Sequence, residues 1–433
     1  MMSQTKTINI ITLGCSKNTV DSEVLAAQFI QLGYTVVHNT TTPSDIVIIN
    51  TCSFINDAKE QAIEEIFVQI ERKKRGEIAQ LYIIGCLAER YKEELLQSIN
   101  EADLILGFSE LHKLFNTDKF NLLFQKDRLL STPKHYAYLK ISEGCDRECS
   151  YCAIPKIRGK QISKPIEMII DEAKFLADHG AKEIMLIAQD LTYYGMDLTH
   201  TRTLEPLLRR IASISGIEWI RLHYAYPMGF PYEILDVMNE YSNICKYLDI
   251  PLQHINTEIL HSMRRGGTSM QIYKLIENFR TKVPNIALRT SLISGYPTET
   301  RKEHKELMEF VRFARFERLG VFPYSQEEDT PAFALGDPHK QKEKNKRVKE
   351  IMQLQEGISL EINTQKVNSV MKVLIDGADN NYYIGRTEFD SPDVDNMVLI
   401  EKKQKLIIGE FYPVLITHAE AYDLYGKVVS TNL

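Results

Sequence analysis

The 433-residue sequence predicts a mixed α/β protein in three parts. These are an N-terminal parallel α/β domain over 1–130, a central partial (βα)6 barrel with a connector helix over 131–365, and a C-terminal five-stranded antiparallel β-barrel over 366–433. Three observations predict this. Short apolar runs alternate with helical periodicity in the first part, the rhythm of a parallel sheet. The rhythm restarts near His135 with longer strand-plus-helix units. After Lys366 the strands become short and are parted by Gly, Asn and Asp, the texture of a small barrel of the oligonucleotide-binding shape.

In the first part Ile8 to Thr12, Asp45 to Asn50 and Leu81 to Ile84 read as strands, each a near-continuous apolar run of the kind covered on both faces. Ser22 to Leu32 and Asn56 to Arg72 read as amphipathic helices between them. The second part has strands at Tyr136 to Ser142, Glu183 to Ala188, Trp219 to His223, Tyr247 to Ile250, Ala287 to Ile293 and Leu319 to Tyr324. Helices fit between them at Ile166 to His179, Glu205 to Ile214, Tyr232 to Tyr241, Met270 to Lys282 and Thr300 to Phe316. Six successive βα units put chemistry at the carboxyl ends of the strands. Lys340 to Gln365, rich in Lys and Glu, reads as a connector. The last part places strands at Val370 to Ile375, Tyr382 to Thr387, Met397 to Ile400, Phe411 to His418 and Asp423 to Val428.

Composition bounds the function. With 44% hydrophobic and 25% charged residues the chain has the make-up of a soluble globular protein. A formal net charge of −6 argues against a general nucleic-acid binder, though not against a local basic patch. No apolar run approaches the roughly 18 residues that span a bilayer. The opening Met-Met-Ser-Gln-Thr-Lys-Thr has no apolar core of a signal peptide, so the cytoplasm is the expected location and no membrane partner is expected.

Seven cysteines organise the chemistry: Cys15, Cys52, Cys86, Cys145, Cys149, Cys152 and Cys245. In a cytosolic chain of this size, clustered cysteines are metal ligands or catalytic groups more often than disulfides. Cys15, Cys52 and Cys86 each follow one of the three N-terminal strands, where open α/β sheets hold ligands. Cys145-Asp-Arg-Glu-Cys149-Ser-Tyr-Cys152 follows the first strand of the second part. Three thiolates can hold an iron–sulfur cubane with one iron left open to a small molecule. A three-cysteine zinc site, with His254 as a remote fourth ligand, is the plainer alternative for the second set. Cys245 has no partner spacing and is expected to be a small core residue.

The spacing of the second set, with Tyr151 before its last cysteine, resembles that of the radical S-adenosylmethionine superfamily. The resemblance implies a 4Fe–4S cluster on Cys145, Cys149 and Cys152, its open iron chelated by the methionine end of S-adenosylmethionine. Ala188-Gln189-Asp190 stands where the superfamily contacts the methionine amino group, and Ser291-Leu-Ile-Ser-Gly295-Tyr-Pro-Thr-Glu299 resembles the segment that packs against adenine. Tyr151, Gln189, Asp190 and Gly295 are therefore the candidate cofactor-binding residues; turn formation is the competing role for the polar ones. Arg264-Arg265-Gly266-Gly267-Thr268 is a candidate phosphate- or carboxylate-contacting loop, or else a solvated turn.

Leu13-Gly-Cys15-Ser-Lys-Asn18…Asp21-Ser-Glu23, then Asn50-Thr-Cys52 and Gly85-Cys86, resembles the N-terminal domain of the methylthiotransferases. The C-terminal barrel resembles their TRAM domain, so the resemblance covers essentially the whole chain. It implies a second 4Fe–4S cluster on Cys15, Cys52 and Cys86 that carries sulfur, an electron donor such as flavodoxin or ferredoxin, and transfer of a methylthio group to an unactivated carbon. All six cysteines then count as catalytic.

Within that family the segment Cys15-Ser-Lys-Asn-Thr-Val-Asp-Ser-Glu23 is closer to the Cys-Pro-Lys-Asn form of the RimO branch than to the Cys-Gln-Met-Asn form of the branch acting on transfer-RNA adenosine. Ser142-Glu143-Gly144-Cys145, Ile187 to Gly195 and Glu388 to Asp395 are RimO-like as well. The implied substrate is an aspartate of small-subunit ribosomal protein twelve, free or in the assembled subunit, with nucleic acid a possible contact but not the substrate. Charge points the same way. Lys366 to Leu433 holds seven Lys or Arg against ten Asp or Glu, and an acidic barrel suits a basic ribosomal protein better than phosphates. The run Phe389 to Asp395 contributes Asp390, Asp393 and Asp395. Against this, Lys340, Lys342, Lys344, Lys346, Arg347 and Lys349 offer a basic helix to the transfer-RNA alternative. A non-catalytic ribosome- or RNA-binding protein with structural clusters is the remaining reading. Ser16 in place of the usual Pro, and Thr298 where Gly is common, depart from the family pattern.

Overall fold

A computed structural model describes residues 5–429 apart from 54, 116 and 119. The first four residues, part of the segment read as lacking a signal peptide, lie outside these. The N-terminal sheet comprises β1 (Thr7–Thr12), β2 (Thr35–His38), β3 (Ser44–Thr51), β4 (Ile78–Gly85) and β5 (Leu104–Leu106). All are parallel, in the order β2-β1-β3-β4-β5. Alternate side chains leave opposite faces. Ile8, Ile10, Ile46 and Ile48 meet Val20, Val24, Leu25 and Phe29 of the helix Ser16–Gln31 on one face. Val47, Ile49, Leu81 and Ile83 meet Ala62, Ile66 and Ile70 of the helix Asn56–Lys74 on the other. The first helix begins at Ser16 rather than Ser22, so Cys15 sits at its N-cap. The sequence reading missed β2 and β5, which are only four and three residues long.

Six parallel strands form the central sheet: β6 (Tyr136–Lys140), β7 (Glu183–Ile187), β8 (Trp219–Leu222), β9 (Ile244–Asp249), β10 (Ala287–Ser294) and β11 (Arg318–Pro323). They lie in chain order, open between β6 and β11, as a partial barrel does. The helices Ile166–Asp178, Leu204–Ala212, Glu233–Glu240, Ser269–Lys282 and Arg301–Ala314 alternate with them. The last two start on reciprocal caps, Thr268 with Gln271 and Thr300 with Glu303, which satisfy amides at the helix starts. The connector is the helix Gln341–Thr364, which buries Ile351 and Ile358 in the central core. Its basic face is narrower than the sequence implies. Lys344 and Arg347 are buried, paired with Asp337 (2.7 Å) and Glu299 (2.8 Å), leaving Lys340, Lys342, Lys346 and Lys349 exposed.

The C-terminal barrel is closed, in the order β12-β13-β14-β16-β15, from β12 (Val370–Ala378), β13 (Tyr382–Arg386), β14 (Met397–Glu401), β15 (Phe411–Ala419) and β16 (Asp423–Val428). Four pairings are antiparallel and one, β14 with β16, is parallel. Val373, Ile375, Val398, Ile400, Val414 and Ile416 fill it. Cys245 is buried with Trp219, Tyr247, Ala287 and Leu374 where this barrel meets the central sheet.

The acidic run of the C-terminal barrel is not a solvated face. Its loop enters the amino side of the central barrel, where Asp390 accepts from Arg318 Nε (2.9 Å), and Asp395 pairs with Arg289 (3.3 Å) and accepts from the Tyr247 hydroxyl (2.8 Å). Only Asp393 of the three aspartates is exposed. The net acidity therefore overstates what the barrel shows to a partner, because central-domain arginines neutralise two of these charges. Among the described residues no helix is long and apolar enough to cross a membrane.

Candidate functional site

Cys15, Cys52 and Cys86 all lie just past the carboxyl ends of parallel strands, β1, β3 and β4. Close backbone approach brings the loops together. Gly14 has φ +93°, and a Cβ there would stand 2.6 Å from Cys52 Cβ and 2.8 Å from its Sγ, so only glycine fits. Asn18 ties the loops by donating to the carbonyls of Leu13 (2.8 Å) and Thr51 (3.0 Å). Cys52 and Cys86 are buried and Cys15 is exposed. Burial pushes the Cys86 thiol up to about 12, with Arg158 opposing and the neighbouring Cys15 and Cys52 adding to the rise. Three sulfurs close enough to influence one another's ionisation form a donor set that a cation would deprotonate.

The second set follows β6. Gly144 has φ +80°, and a Cβ there would collide with the Lys160 carbonyl; glycine lets the loop turn directly into Cys145. Burial raises Cys145 to about 11 and Cys152 to about 12, Cys149 adding to both. Cations surround the set. Arg265 Nη1 lies 3.6 Å from Cys149 Sγ, and the Arg147 amide donates to Cys145 Sγ (3.4 Å). Both guanidiniums pack on the Tyr226 ring, at 4.0 Å for Arg147 and 4.3 Å for Arg265. Ser150, within the motif, is held by Met263 and by the Tyr296 hydroxyl, so the Gly295-Tyr296 turn braces the cysteine loop.

The short helix Ile154–Arg158, capped by Ala153 just after Cys152, links the two sets. Ala153 and Ile157 pack on Cys86, and Arg158 Nη2 lies 3.5 Å from Cys86 Sγ. Arg158 Nη1 pairs with Asp21 (2.6 Å) and Glu143 (3.0 Å). Lys140, fully buried at the end of β6, pairs with the same two carboxylates. Arg158 and Lys140 hold the Glu143 carboxyl down to about 2 against the effect of burial. A second buried joint joins Glu23 through Arg128 to Glu172 and Lys164. Asp21 and Glu23 of the Cys15 segment thus dock the N-terminal domain onto the central one.

The predicted cofactor residues are all beside the second set, with differing roles. Tyr151 packs with Tyr296 and Tyr324. Gln189 donates to Glu143, and its Oε1 is buried without a partner. Asp190 commits both oxygens to protein: Oδ1 caps Thr192 (2.9 Å) and Oδ2 accepts from Arg147 Nε (2.8 Å). The side left open by Gly295 is filled by the Lys344 stem, while Glu299 takes the Gly295 amide (2.9 Å). His254 is no zinc ligand here: its Nδ1 accepts from the Asn256 amide (3.0 Å) and its Nε2 faces Glu299 at 3.5 Å. Among the described residues no three His, Cys, Asp or Glu groups crowd around a single metal position; the thiolates of a cubane bind different irons and stand wider apart. Arg147 Nη2 and Arg265 Nε, like Gln189 Oε1, are buried without partners. Two donors and one acceptor left waiting beside three thiols fit a cluster with a bound amino acid moiety. Arg147, Arg158, Tyr224 and Tyr226 escaped the sequence reading; the position of Arg158 six residues after Cys152, at the end of the helix that follows it, was the available signal.

Comparison with known proteins agrees with this geometry. Residues 7–107 match the uncharacterized protein family UPF0004, residues 139–311 the radical SAM superfamily and residues 367–429 the TRAM domain. A ribosomal protein uS12 methylthiotransferase RimO of Bacteroides thetaiotaomicron is 50% identical over 98% of this chain and 99% of its own length. One from Christiangramia forsetii is 50% identical over 98% and 95%, and one from Cytophaga hutchinsonii 48% over 99% and 99%. The radical S-adenosylmethionine methyltransferase TsrM from Kitasatospora setae, solved with cobalamin and a 4Fe–4S cluster, shares the fold at a TM-score of 0.55 and 13% identity, over 88% of this chain and 77% of that one.

Proposed function

The chain belongs to the RimO family of ribosomal protein uS12 methylthiotransferases, and from that premise we propose that it adds a methylthio group to the β-carbon of an aspartate of uS12. The observation that carries the reading is the pair of three-cysteine sets linked by the helix Ile154–Arg158. One 4Fe–4S cluster would be held by Cys145, Cys149 and Cys152, the other by Cys15, Cys52 and Cys86. When bound, the two clusters and S-adenosylmethionine supply the reducing electron, the hydrogen-abstracting radical and the methylated sulfur. A radical is needed because an aliphatic C–H has no pKa that a side-chain base can reach.

The chain's own residues bind and orient. Gln189 Oε1 would accept from the methionine amino group and Arg147 Nη2 would donate to the carboxylate, satisfying two buried atoms that otherwise have no partner. Asp190 positions Arg147. Tyr151 and the turn at Gly295 would border the nucleoside end. Arg265, beside Cys149, sets positive charge against the thiolates. The working units correspond to 1–130, 131–365 and 366–433, the enzyme acts in the cytoplasm, and a flavodoxin- or ferredoxin-type protein supplies electrons. Mass spectrometry of uS12 and of bulk transfer RNA from a deletion strain tests this. A methylthio group lost from uS12 alone supports it; loss from transfer-RNA adenosine moves the same chemistry to a nucleic-acid substrate. Cys149→Ala tests the non-catalytic alternative, which expects no loss of function.

A further inference from the structure

Lys17 is a cation that no anion among the described residues pairs with. The residue is 8% exposed, and its ammonium lies 3.0 Å from the centre of the Tyr224 ring. Among the described residues no carboxylate pairs with it. The acids nearby are already matched: Asp21 and Glu143 face both Lys140 and Arg158, and Asp190 holds Arg147. An aromatic face attracts an ammonium but offers no acceptor to its three N–H donors. A cation with no carboxylate partner, in a site whose other charges are balanced, is placed to take a ligand of opposite sign.

Its position says which ligand. Lys17 is two residues past Cys15, on the first turn of the helix that this cysteine starts. Tyr224 lies beyond the carboxyl end of β8 and is held at φ +63°, a conformation that bulky residues rarely take. The Asp249 carboxylate accepting from its amide (3.3 Å) and the Leu191 amide donating to its carbonyl (3.1 Å) fix it there. Two residues on, Tyr226 carries Arg147 and Arg265, the cations of the other cysteine set. One strand end therefore presents a ring to each set, and Lys17 stands over the ring on the side of Cys15.

We propose that Lys17, seated on Tyr224, binds the side-chain carboxylate of the substrate aspartate and so holds its β-carbon between the two cysteine sets. The proposal rests on the uS12 reading and adds the group that recognises the residue to be modified. It makes Lys17 a determinant of specificity for an acidic side chain over its neutral isostere.

The test is binding of two labelled uS12 peptides, one with the target aspartate and one with asparagine in its place, to the cluster-loaded enzyme with S-adenosylmethionine. Wild type should prefer the aspartate peptide by about tenfold or more. Lys17→Met should remove that preference, lowering aspartate affinity to the asparagine level while asparagine affinity and iron content stay as in wild type. Lys17→Arg should recover most of the preference. An equal loss for both peptides, a preference that survives Lys17→Met, or a wild type without preference each overturns the assignment. Failure of the underlying reading shows separately, as a wild-type enzyme that leaves no methylthio mass on uS12 whatever stands at position 17.

Discussion

Arg158 reaches four partners at once: Cys86 Sγ, Asn18 Oδ1, Asp21 and Glu143. Arg158→Met would leave two buried carboxylates short of a cation. Breaking a buried pair costs about 3–5 kcal/mol, so urea unfolding of the apoprotein should show a loss of that size. The same change removes a donor and a positive charge from a cluster thiolate. The midpoint potential of the cluster on Cys86, read by electron paramagnetic resonance, should fall. Cys149→Ala and Cys86→Ala should each lower iron per chain by about half, because the ligands form two independent sets of three. The cysteines were legible in the sequence because spacing and strand ends alone single them out. Arg147, Arg158 and Tyr224 were not, since their roles depend on which loops the fold brings together. Asp190 shows the limit from the other side: the sequence places it in the site, and the structure shows it holding Arg147 and a turn.

Among the elements, the loop Glu388 to Asp395 makes the sharpest contrast. Asp390 is buried on Arg318, whereas Asp393 of the same loop is exposed. Asp390→Asn should cost about 3 kcal/mol or more by leaving Arg318 buried without its anion. Asp393→Asn should change stability by no more than about 0.5 kcal/mol, and parallel urea titrations distinguish the two. Composition gave the loop's charge correctly but could not reveal that its partners lie some seventy to a hundred positions earlier, at Arg318 and Arg289. The long strands were legible because both faces are apolar, as at Asp45 to Asn50. β2 and β5 were not, because three or four residues carry too little pattern to separate an edge strand from a loop. The helix after Cys15 was placed too late because Lys17, Asn18 and Asp21 are polar yet face the domain joint instead of solvent.

At the scale of the whole molecule, ion pairs buried between domains hold the three parts together. Glu23, Glu143, Glu172 and Asp21 join the first two, and Glu183, Asp376 and Asp390 with Arg221, Arg318 and Arg386 join the last two. Glu143 is held down to about 2, and Glu172, Glu183, Asp376 and Asp390 are also lowered, in each case by facing cations that outweigh burial. A carboxylate whose pKa is lower in the folded state binds fewer protons there, so its contribution is complete above the unfolded value. It is lost as pH falls through the folded value. The melting temperature of the apoprotein should therefore hold down to about pH 5 and drop steeply between about pH 4.5 and pH 2. A flat profile in that window would mean the joints do not carry stability. The central claim is that this fold brings two cluster sites together to modify an aspartate of uS12. The most direct measurement is the intact mass of uS12 from a strain lacking this chain, with transfer-RNA nucleosides measured in parallel. In that strain uS12 should be lighter by one methylthio group in place of hydrogen, restored by wild type and not by Cys149→Ala, with transfer RNA unchanged. An unmodified uS12 in the parent strain, or a loss confined to methylthio-adenosine, would contradict it.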